Sequence, residues 1–332
     1  MSLRIDSVPR RTTDGVLGSD AMSSIPVSAF TLRGSLVIGT DRGEWLSVTS
    51  GDRLEPLADT GPVSDAVDHG DGTLTVACWA PTLKQLRNGT WTDLALSAPA
   101  TALAMTPRGL VLADTGGGIS LLAGTSRVPV QELTSPEPLV ALLPLDDGLA
   151  ALGASGSLEV TTWPGSEGSL TPVHTGSVGR AHAIFPGIRR GTAFVAGARG
   201  LGVLERQRMT SVSTDLGDRI AGVAVFVERA RAFAYADNGD AWIVDEGLAR
   251  PARVRLGDGK VAGAIAGTDG TVLAWTTDGV LHVVGHDGAS WRIAEGGVVL
   301  ALPEPNQIRG SIAIHWTSAG GTRVSRGHVA WN

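Results

Sequence analysis

An all-β chain of four-stranded antiparallel blades, a β-propeller with nearly no helix, is the fold class this sequence predicts, and two patterns predict it. The first is a repeat. Gly-led apolar runs begin at Gly34, Gly72, Gly109, Gly148, Gly191, Gly270 and Gly310, with an Arg-led counterpart at Arg231, and the steps between these starts in chain order are 38, 37, 39, 43, 40, 39 and 40 residues. Self-similarity at that period marks one supersecondary unit copied along the chain, of the length of a four-stranded blade. The second pattern is the lack of helical spacing: no stretch places apolar residues at i, i+3, i+4 and i+7 for long enough to make a helix. Eight repeats predict eight blades, with seven as the alternative if one repeat lies outside the ring.

Each repeat reads as four strands in order. Ahead of every Gly-led run lies a segment of small apolar residues, such as Ala102-Leu-Ala-Met, Ala181-His-Ala-Ile-Phe, Ile220-Ala-Gly-Val-Ala-Val-Phe or Val261-Ala-Gly-Ala-Ile-Ala. These are the innermost strands, where converging blades leave no room for large side chains. The Gly-led run is the second strand. After a turn comes an alternating segment such as Glu44-Trp-Leu-Ser-Val or Asp240-Ala-Trp-Ile-Val, whose period of two marks a third strand. Asn88-Gly89 and Asp287-Gly288 then turn the chain into a more polar outer strand, such as Arg53-Leu-Glu-Pro-Leu or Trp291-Arg-Ile-Ala, with the Pro and charges that protect an edge.

The propeller domain is predicted to span 25–332, with 1–24 as an N-terminal segment. Leu3-Arg-Ile-Asp-Ser-Val alternates like a strand, so residues 3–8 are a candidate outer strand for the last blade, which would tie both termini together. The alternative places His328 to Asn332 there and leaves 1–24 outside the fold.

Composition narrows the partners. The net charge of −6 with a pI near 5.6 argues against nucleic acid or an anionic membrane surface, which need concentrated Lys and Arg. Lys84 and Lys260 are the only lysines beside 25 arginines, a bias typical of GC-rich coding. No apolar stretch approaches the length of a membrane span, and the N-terminus lacks the apolar core of a signal peptide. Cys78 has no second cysteine to pair with, and the expectation is a cytoplasmic protein with a buried, inert thiol.

Catalytic chemistry finds little support. Asp287-Gly-Ala-Ser-Trp291 and Asn88-Gly-Thr-Trp91 look like incomplete fragments of the Asp-box turn, and a sialidase-like site would need a Tyr nucleophile. The only tyrosine, Tyr235, lies in an apolar second strand. Asp65, Asp68, Asp71 and Gly72, or Asp237-Asn-Gly-Asp240, resemble the Asp-rich turns of integrin-like propellers, but their spacing does not supply a calcium loop, and Asx turns account for them. The seven histidines, His69, His174, His182, His282, His286, His315 and His328, are scattered over different repeats, with His182 and His315 the two placed to approach the axis. No nucleophile elbow, Walker loop or dinucleotide fingerprint is present. No catalytic residue, cofactor or structural metal is therefore expected.

What remains is surface. Propeller topology puts the first-to-second and third-to-fourth turns of a blade at one end, and the second-to-third turn with the interblade link at the other. At the first end Arg189, Arg190, Arg229 and Arg231 form a candidate guanidinium patch for an acidic peptide, opposed by Glu228, Asp269 and Glu304. At the other, Asp41, Arg42, Glu137, Arg180, Asp218, Arg219, Asp258 and Lys260 are the candidate partner-binding residues around the channel mouth, their mixed signs suited to a protein.

In period and strand rhythm, residues 25–332 resemble the WD40-like β-propellers, without the Gly-His and Trp-Asp dipeptides of true WD40 repeats. The resemblance implies a rigid disc that brings proteins together. The expected function is a non-enzymatic protein-protein interaction scaffold or sensor of a bacterial multi-protein regulatory or defence assembly. The alternative is a small-ligand or glycan-binding propeller, or a degenerate hydrolase, that uses the channel mouth near Arg180, Arg219 and Lys260.

Overall fold

The computed structural model describes residues 25–33, 35–48, 54–122, 131–146, 148–162, 169–214, 216, 219–304, 310–317 and 321–328. Those residues form eight antiparallel sheets, seven of four strands and one of three, with no helix among them. Each sheet is one sequence repeat folded as a meander, and blades 1 to 8 span 26–59, 63–95, 100–134, 139–172, 181–213, 220–254, 261–294 and 298–328. The fold is a β-propeller with the favoured blade count.

The apolar segments ahead of the Gly-led runs are the inner strands, from Pro26–Leu32 in blade 1 to Val298–Pro303 in blade 8. The Gly-led runs are the second strands, and their continuous apolar character follows from burial on both faces. Every residue of Thr73–Cys78 and of Thr192–Gly197 is buried, Cys78 included. Outer strands such as Thr90–Ala95 carry mostly exposed or half-exposed residues, as their polar sequences require.

The described residues divide into two compact units. One comprises blades 1, 7 and 8 with nearly all of blade 6; the other comprises blades 2 to 5, Ile220 and residues 246–249. In the second unit, Ala77, Leu83, Leu103 and Leu112 join blades 2 and 3, Ile119, Leu139 and Leu149 join blades 3 and 4, and Leu152, Val178, Val195 and Leu204 join blades 4 and 5. In the first, Phe233, Ile243, Val272 and Val284 join blades 6 and 7, and Leu281, Val283, Val298 and Ala313 join blades 7 and 8. Leu36, Ile38, Ile312 and Ile314 then pack blade 8 against blade 1, so the last repeat meets the first through buried faces. Among the described residues blade 8 has three strands, the third being Gly321–His328. The candidate closing strands, 3–8 and the stretch beyond His328, lie outside the described residues, as does Asp218.

Two backbone devices recur that no residue type announces. Seven inner strands shift register at their first residues, as at Pro26/Ser28, Val63/Asp65, Leu139/Ala141, Ala181/Ala183, Val261/Gly263 and Val298/Leu300, and in blade 3 between Ala100 and Ala102. Each shift is a β-bulge that leaves one residue without a ladder partner. Immediately beside it, the amide at the end of the second strand donates to the carbonyl preceding the inner strand. Asp41 bonds Ile25, Trp79 bonds Pro62, Thr115 bonds Pro99, Ala154 bonds Pro138, Ala198 bonds Arg180, Thr277 bonds Lys260 and Trp316 bonds Gly297, all at 2.7–3.1 Å.

Neighbouring blades are also tied by side chains at these bulges. Ser64 Oγ donates to Ala100 O at 2.7 Å, and His182 Nε2 donates to Ile220 O at 2.8 Å. Asp65, an acid considered above for calcium, accepts from the backbone amides of Ala66 and, across to blade 3, Leu103 at 2.7 Å. Burial pushes its carboxyl above the usual range, and the two amides pull it back. Asp68 and Asp71 likewise accept from Gly70 and Thr73 in Asx turns.

Glycine is required where the second-to-third turn of one blade meets the next blade. Gly117, Gly156, Gly239 and Gly279 have φ of +82°, +86°, +91° and +77°. A Cβ on Gly156 would stand 2.6 Å from Ala181 O, and one on Gly117 2.6 Å from Ser135 O. Gly156→Ala should therefore lower stability in urea unfolding by about 2–4 kcal/mol, combining left-handed strain with the clash. Gly257→Ala, at φ +81° in open space, should cost only about 1–2 kcal/mol, and equal losses would show that the close approach contributes nothing. Asp65→Ala should cost about 1–3 kcal/mol in the same measurement, because the Leu103 amide loses its acceptor.

Candidate functional site

At the hairpin end of the blades, the expected guanidinium patch is largely closed by ion pairs. Arg189 bridges Glu246 at 2.5 Å and Glu205 at 3.3 Å, and Arg190 lies 3.6 Å from Asp146. The hydrogen bond and charge of Glu246 raise the Arg189 guanidinium above its usual range. In the other unit, Arg231 donates to the carbonyl of His286, and exposed Arg229 lies beside Gly270. The acids expected to oppose these arginines have other partners: Thr271 bonds Asp269, and Arg326 pairs with Glu304 at 2.7 Å. Glu228 is an exposed turn residue at φ +60°.

At the link end the predicted acids and bases differ in kind. Asp41 accepts from the Ile25 amide at 2.8 Å, which closes a two-way bond between turn and link in blade 1. Glu137 accepts from the amide and hydroxyl of Ser155, at 2.7 and 2.6 Å, and from the Ser157 hydroxyl. Those donors, led by the Ser155 hydroxyl, hold its carboxyl below the usual range, and the Arg180 charge adds to the effect. Both acids fasten the frame. Arg42, Arg180, Arg219, Asp258 and Lys260 are exposed. Arg180, Arg219 and Lys260 hold one equivalent place, the residue before the inner strand, in blades 5, 6 and 7.

Within the second unit, the start of blade 5 forms one wall of a recess of about 440 Å³ lined by Val140, Ala154, Arg180, His182, Ala198 and Arg219. Blades 4 and 5 contribute, with Arg219 from the link that follows blade 5. The Arg180 side chain lies over Gly156, whose missing Cβ makes room for it, and its Nη2 donates to Ala154 O at 3.0 Å. His182 is the bulge residue of its strand and bonds Ile220 O, next to Arg219. Val140 is the bulge residue of blade 4 and is 52% exposed. Among the described residues, the recess sets two guanidinium groups and an imidazole beside the apolar side chain of Val140.

A larger groove of about 810 Å³ runs between blades 2 and 3 past His69, Gln85, Arg87, Asp93, Arg108 and Leu122. Burial lowers the His69 imidazole below its usual range against the opposing pull of Asp71 and Asp68, and its Nε2 bonds Thr75 Oγ1 at 2.7 Å. His282 and His315 are buried, and His315 bonds the Ser325 hydroxyl from the second strand of blade 8 rather than from its inner strand. Among the described residues no three His, Cys, Asp or Glu side chains group to hold a metal.

Sequence reading passed over the apolar side chains that this end exposes. Trp79 is 71% exposed although it continues the buried run Val76-Ala-Cys, because the second strand ends at Cys78. Val27, 55% exposed, and Val140 are bulge residues of inner strands. The one readable signal was Trp79-Ala-Pro81, since Pro at such a place marks the end of a strand.

No protein-family model and no curated protein matches the sequence. Among solved structures the chain is similar to the computationally designed Ika8 protein, at 14% identity over 94% of this chain and 99% of that one, with a TM-score of 0.73. It is similar to Sqt1 of Saccharomyces cerevisiae, at 11% identity over 94% and 99% with a TM-score of 0.72. It is also similar to the C-terminal WD40 domain of Sif2, at 12% identity over 94% and 98% with a TM-score of 0.70. These likenesses show the β-propeller fold, and at such identities they show the fold alone.

Proposed function

We propose that the chain is a non-enzymatic protein-interaction platform that meets its partner through the link end of its second unit, within a multi-protein regulatory or defence assembly of the bacterial cytoplasm. The observation that carries this reading is Trp79. Its amide is held by Pro62 O at 3.1 Å, while its indole stands 71% exposed. A large indole fixed at the backbone and open to solvent is the kind of anchor on which interfaces concentrate their binding energy. Val140 adds a second exposed apolar group in the same unit, and Arg180, Arg199 and Arg219 add exposed cations. The Arg-rich, Lys-poor composition supports a GC-rich bacterial source. Arginine and tryptophan are the side chains enriched at such surfaces, and a polar rim around them excludes water.

The recess beside Arg180 and Arg219 favours a second reading, a binder of small anionic ligands. A metabolite panel that raises the melting temperature, with no protein retained by the chain, would select it.

Affinity capture from the native cytoplasm at moderate salt, followed by mass spectrometry, tests the platform reading. A stoichiometric protein is expected. Trp79→Ala should weaken its capture by at least about tenfold with the melting temperature unchanged, because the side chain contributes little to the core. Arg190→Glu, at the hairpin end, should leave capture intact. Undiminished capture by Trp79→Ala would remove this face from consideration.

A further inference from the structure

We infer that the apolar strip at the link end of blades 2 to 4 receives a proline-rich segment of the partner in the polyproline II conformation, with a pyrrolidine ring on the Trp79 indole. The inference rests on the platform reading and names the chemistry of the segment that the platform recognises.

The repeat builds the strip. The residue before the inner strand is Pro62 in blade 2, Pro99 in blade 3 and Pro138 in blade 4, the place that Arg180 holds in blade 5. Pro62 and Pro138 are exposed and Pro99 is half-buried. Trp79, 71% exposed, is followed by exposed Ala80 and Pro81, and the bulge residue Val140 continues the strip in blade 4. All of these residues belong to the second unit. The link-end segments of blades 2 to 4, residues 60–64, 78–82, 96–101, 114–118, 135–140 and 153–157, are all among the described residues.

Hydrogen bonding decides which chain fits. The carbonyls of Pro62, Pro99 and Pro138 accept from the amides of Trp79, Thr115 and Ala154 at 3.1, 3.0 and 2.9 Å. Those of Ala80 and Pro81 accept from Thr82 and Leu96 at 2.7 and 2.8 Å. The four prolines have no amide hydrogen. The main chain here has spent these acceptors on internal bonds and offers few donors, so it cannot pair with an extended strand, whose amides and carbonyls both need partners.

What the strip does offer is side-chain donors. No hydrogen bond among the described residues takes up the Trp79 indole N–H, and exposed Thr115, at the equivalent place in blade 3, adds a hydroxyl. A helix laid on the indole would leave this N–H unmet, because helix carbonyls are used internally, and an unmet buried donor is costly. A polyproline II chain has free carbonyls along its length and, where it is proline, no N–H to satisfy. It brings acceptors to the donors of this surface and apolar rings to its indole and prolines. Ligand and strip are both stiffened by proline before they meet, so little freedom is lost on binding.

The probe is decaproline carrying an N-terminal fluorescein, titrated against the full chain by fluorescence anisotropy beside a fluorescein-labelled decapeptide of glycine and serine. Decaproline should bind at least about tenfold more tightly than the control, with little dependence on salt. Trp79→Ala should weaken it by at least about tenfold. Trp79→Phe, which keeps an aromatic face and removes the N–H, should weaken it by at least about threefold. Val140→Ser should weaken it by about threefold. Arg190→Glu, at the hairpin end, should have no effect, and melting temperatures recorded for every variant separate lost binding from lost fold.

Decaproline binding no tighter than the control, or unchanged by Trp79→Ala, would overturn the inference. So would parent-like affinity of Trp79→Phe, because the choice of ligand depends on the indole N–H. A protein captured through Trp79 that millimolar decaproline does not displace would defeat the ligand class and leave the platform reading standing. Trp79-dependent decaproline binding with no protein retained by the chain would keep the ligand class and defeat the platform reading.

Discussion

The structure depends on how closely one blade's second-to-third turn approaches the first residues of the next blade. Hydrophobic burial supplies the bulk of the attraction between blade faces, but it is non-directional and cannot set the register at which two faces meet. The turn glycines do. At Gly156 a Cβ would strike Ala181 O, and at Gly279 it would fall 2.5 Å from Gly297 Cα. These contacts recur at the same place in different blades, in both units. Each is possible only because glycine meets two demands at once, a left-handed φ and a backbone without a side chain. The approach that fastens blade 4 to blade 5 also lays the Arg180 side chain across the turn and lets it reach Ala154 O, so one constraint shapes both core and recess.

The bulge beside that contact accounts for the individuality of the blades. In seven inner strands one residue is released from the ladder, and the frame around it is held by backbone bonds that do not depend on its identity. Val27, Ser64, Thr101, Val140, His182, Ala262 and Val299 occupy the place. Ser64 and His182 use it to bond the following blade, whereas Val27 and Val140 present an apolar group to solvent. A position neutral to the fold and variable in chemistry is where a repeat protein can place recognition at small cost in stability.

This division explains what could be read from the residues. Second strands were legible because burial on both faces imposes continuous apolar runs, inner strands were legible from their small apolar residues, and the Gly-led starts gave their phase. Blade number followed from the same runs. The bulges were invisible, because an extra residue among small apolar ones leaves no mark on a period-two pattern. Nothing in the pattern therefore sets Val140 apart from its neighbours, although it stands 52% exposed at the bulge. Trp79 was missed because nothing in Val76-Ala-Cys-Trp shows that the strand stops at Cys78. Asp41 and Glu137 looked like recognition acids because their donors, at Ile25, Ser155 and Ser157, are 16 to 20 residues away and only folding brings them near. Arg180 and Arg219 were identified as link-end cations, since their place before the inner strand follows from the repeat alone.

The electrostatics of the link end follow from the same separation of roles. Carboxylates there cap turns and links: Asp114 accepts from Gly116 and Gly118, Asp41 from Ile25, and Glu137 from three donors. A short acid can satisfy two or three backbone donors at a tight turn, which an arginine, having donors alone, cannot do. Selection for turn stability therefore consumes acids as acceptors and leaves long cations to extend outward. A chain with net charge −6 can for this reason line a recess with Arg180 and Arg219. At physiological ionic strength exposed charges more than about 8 Å apart are largely screened, so the recess is governed by the guanidinium groups within it and not by the total charge of the chain.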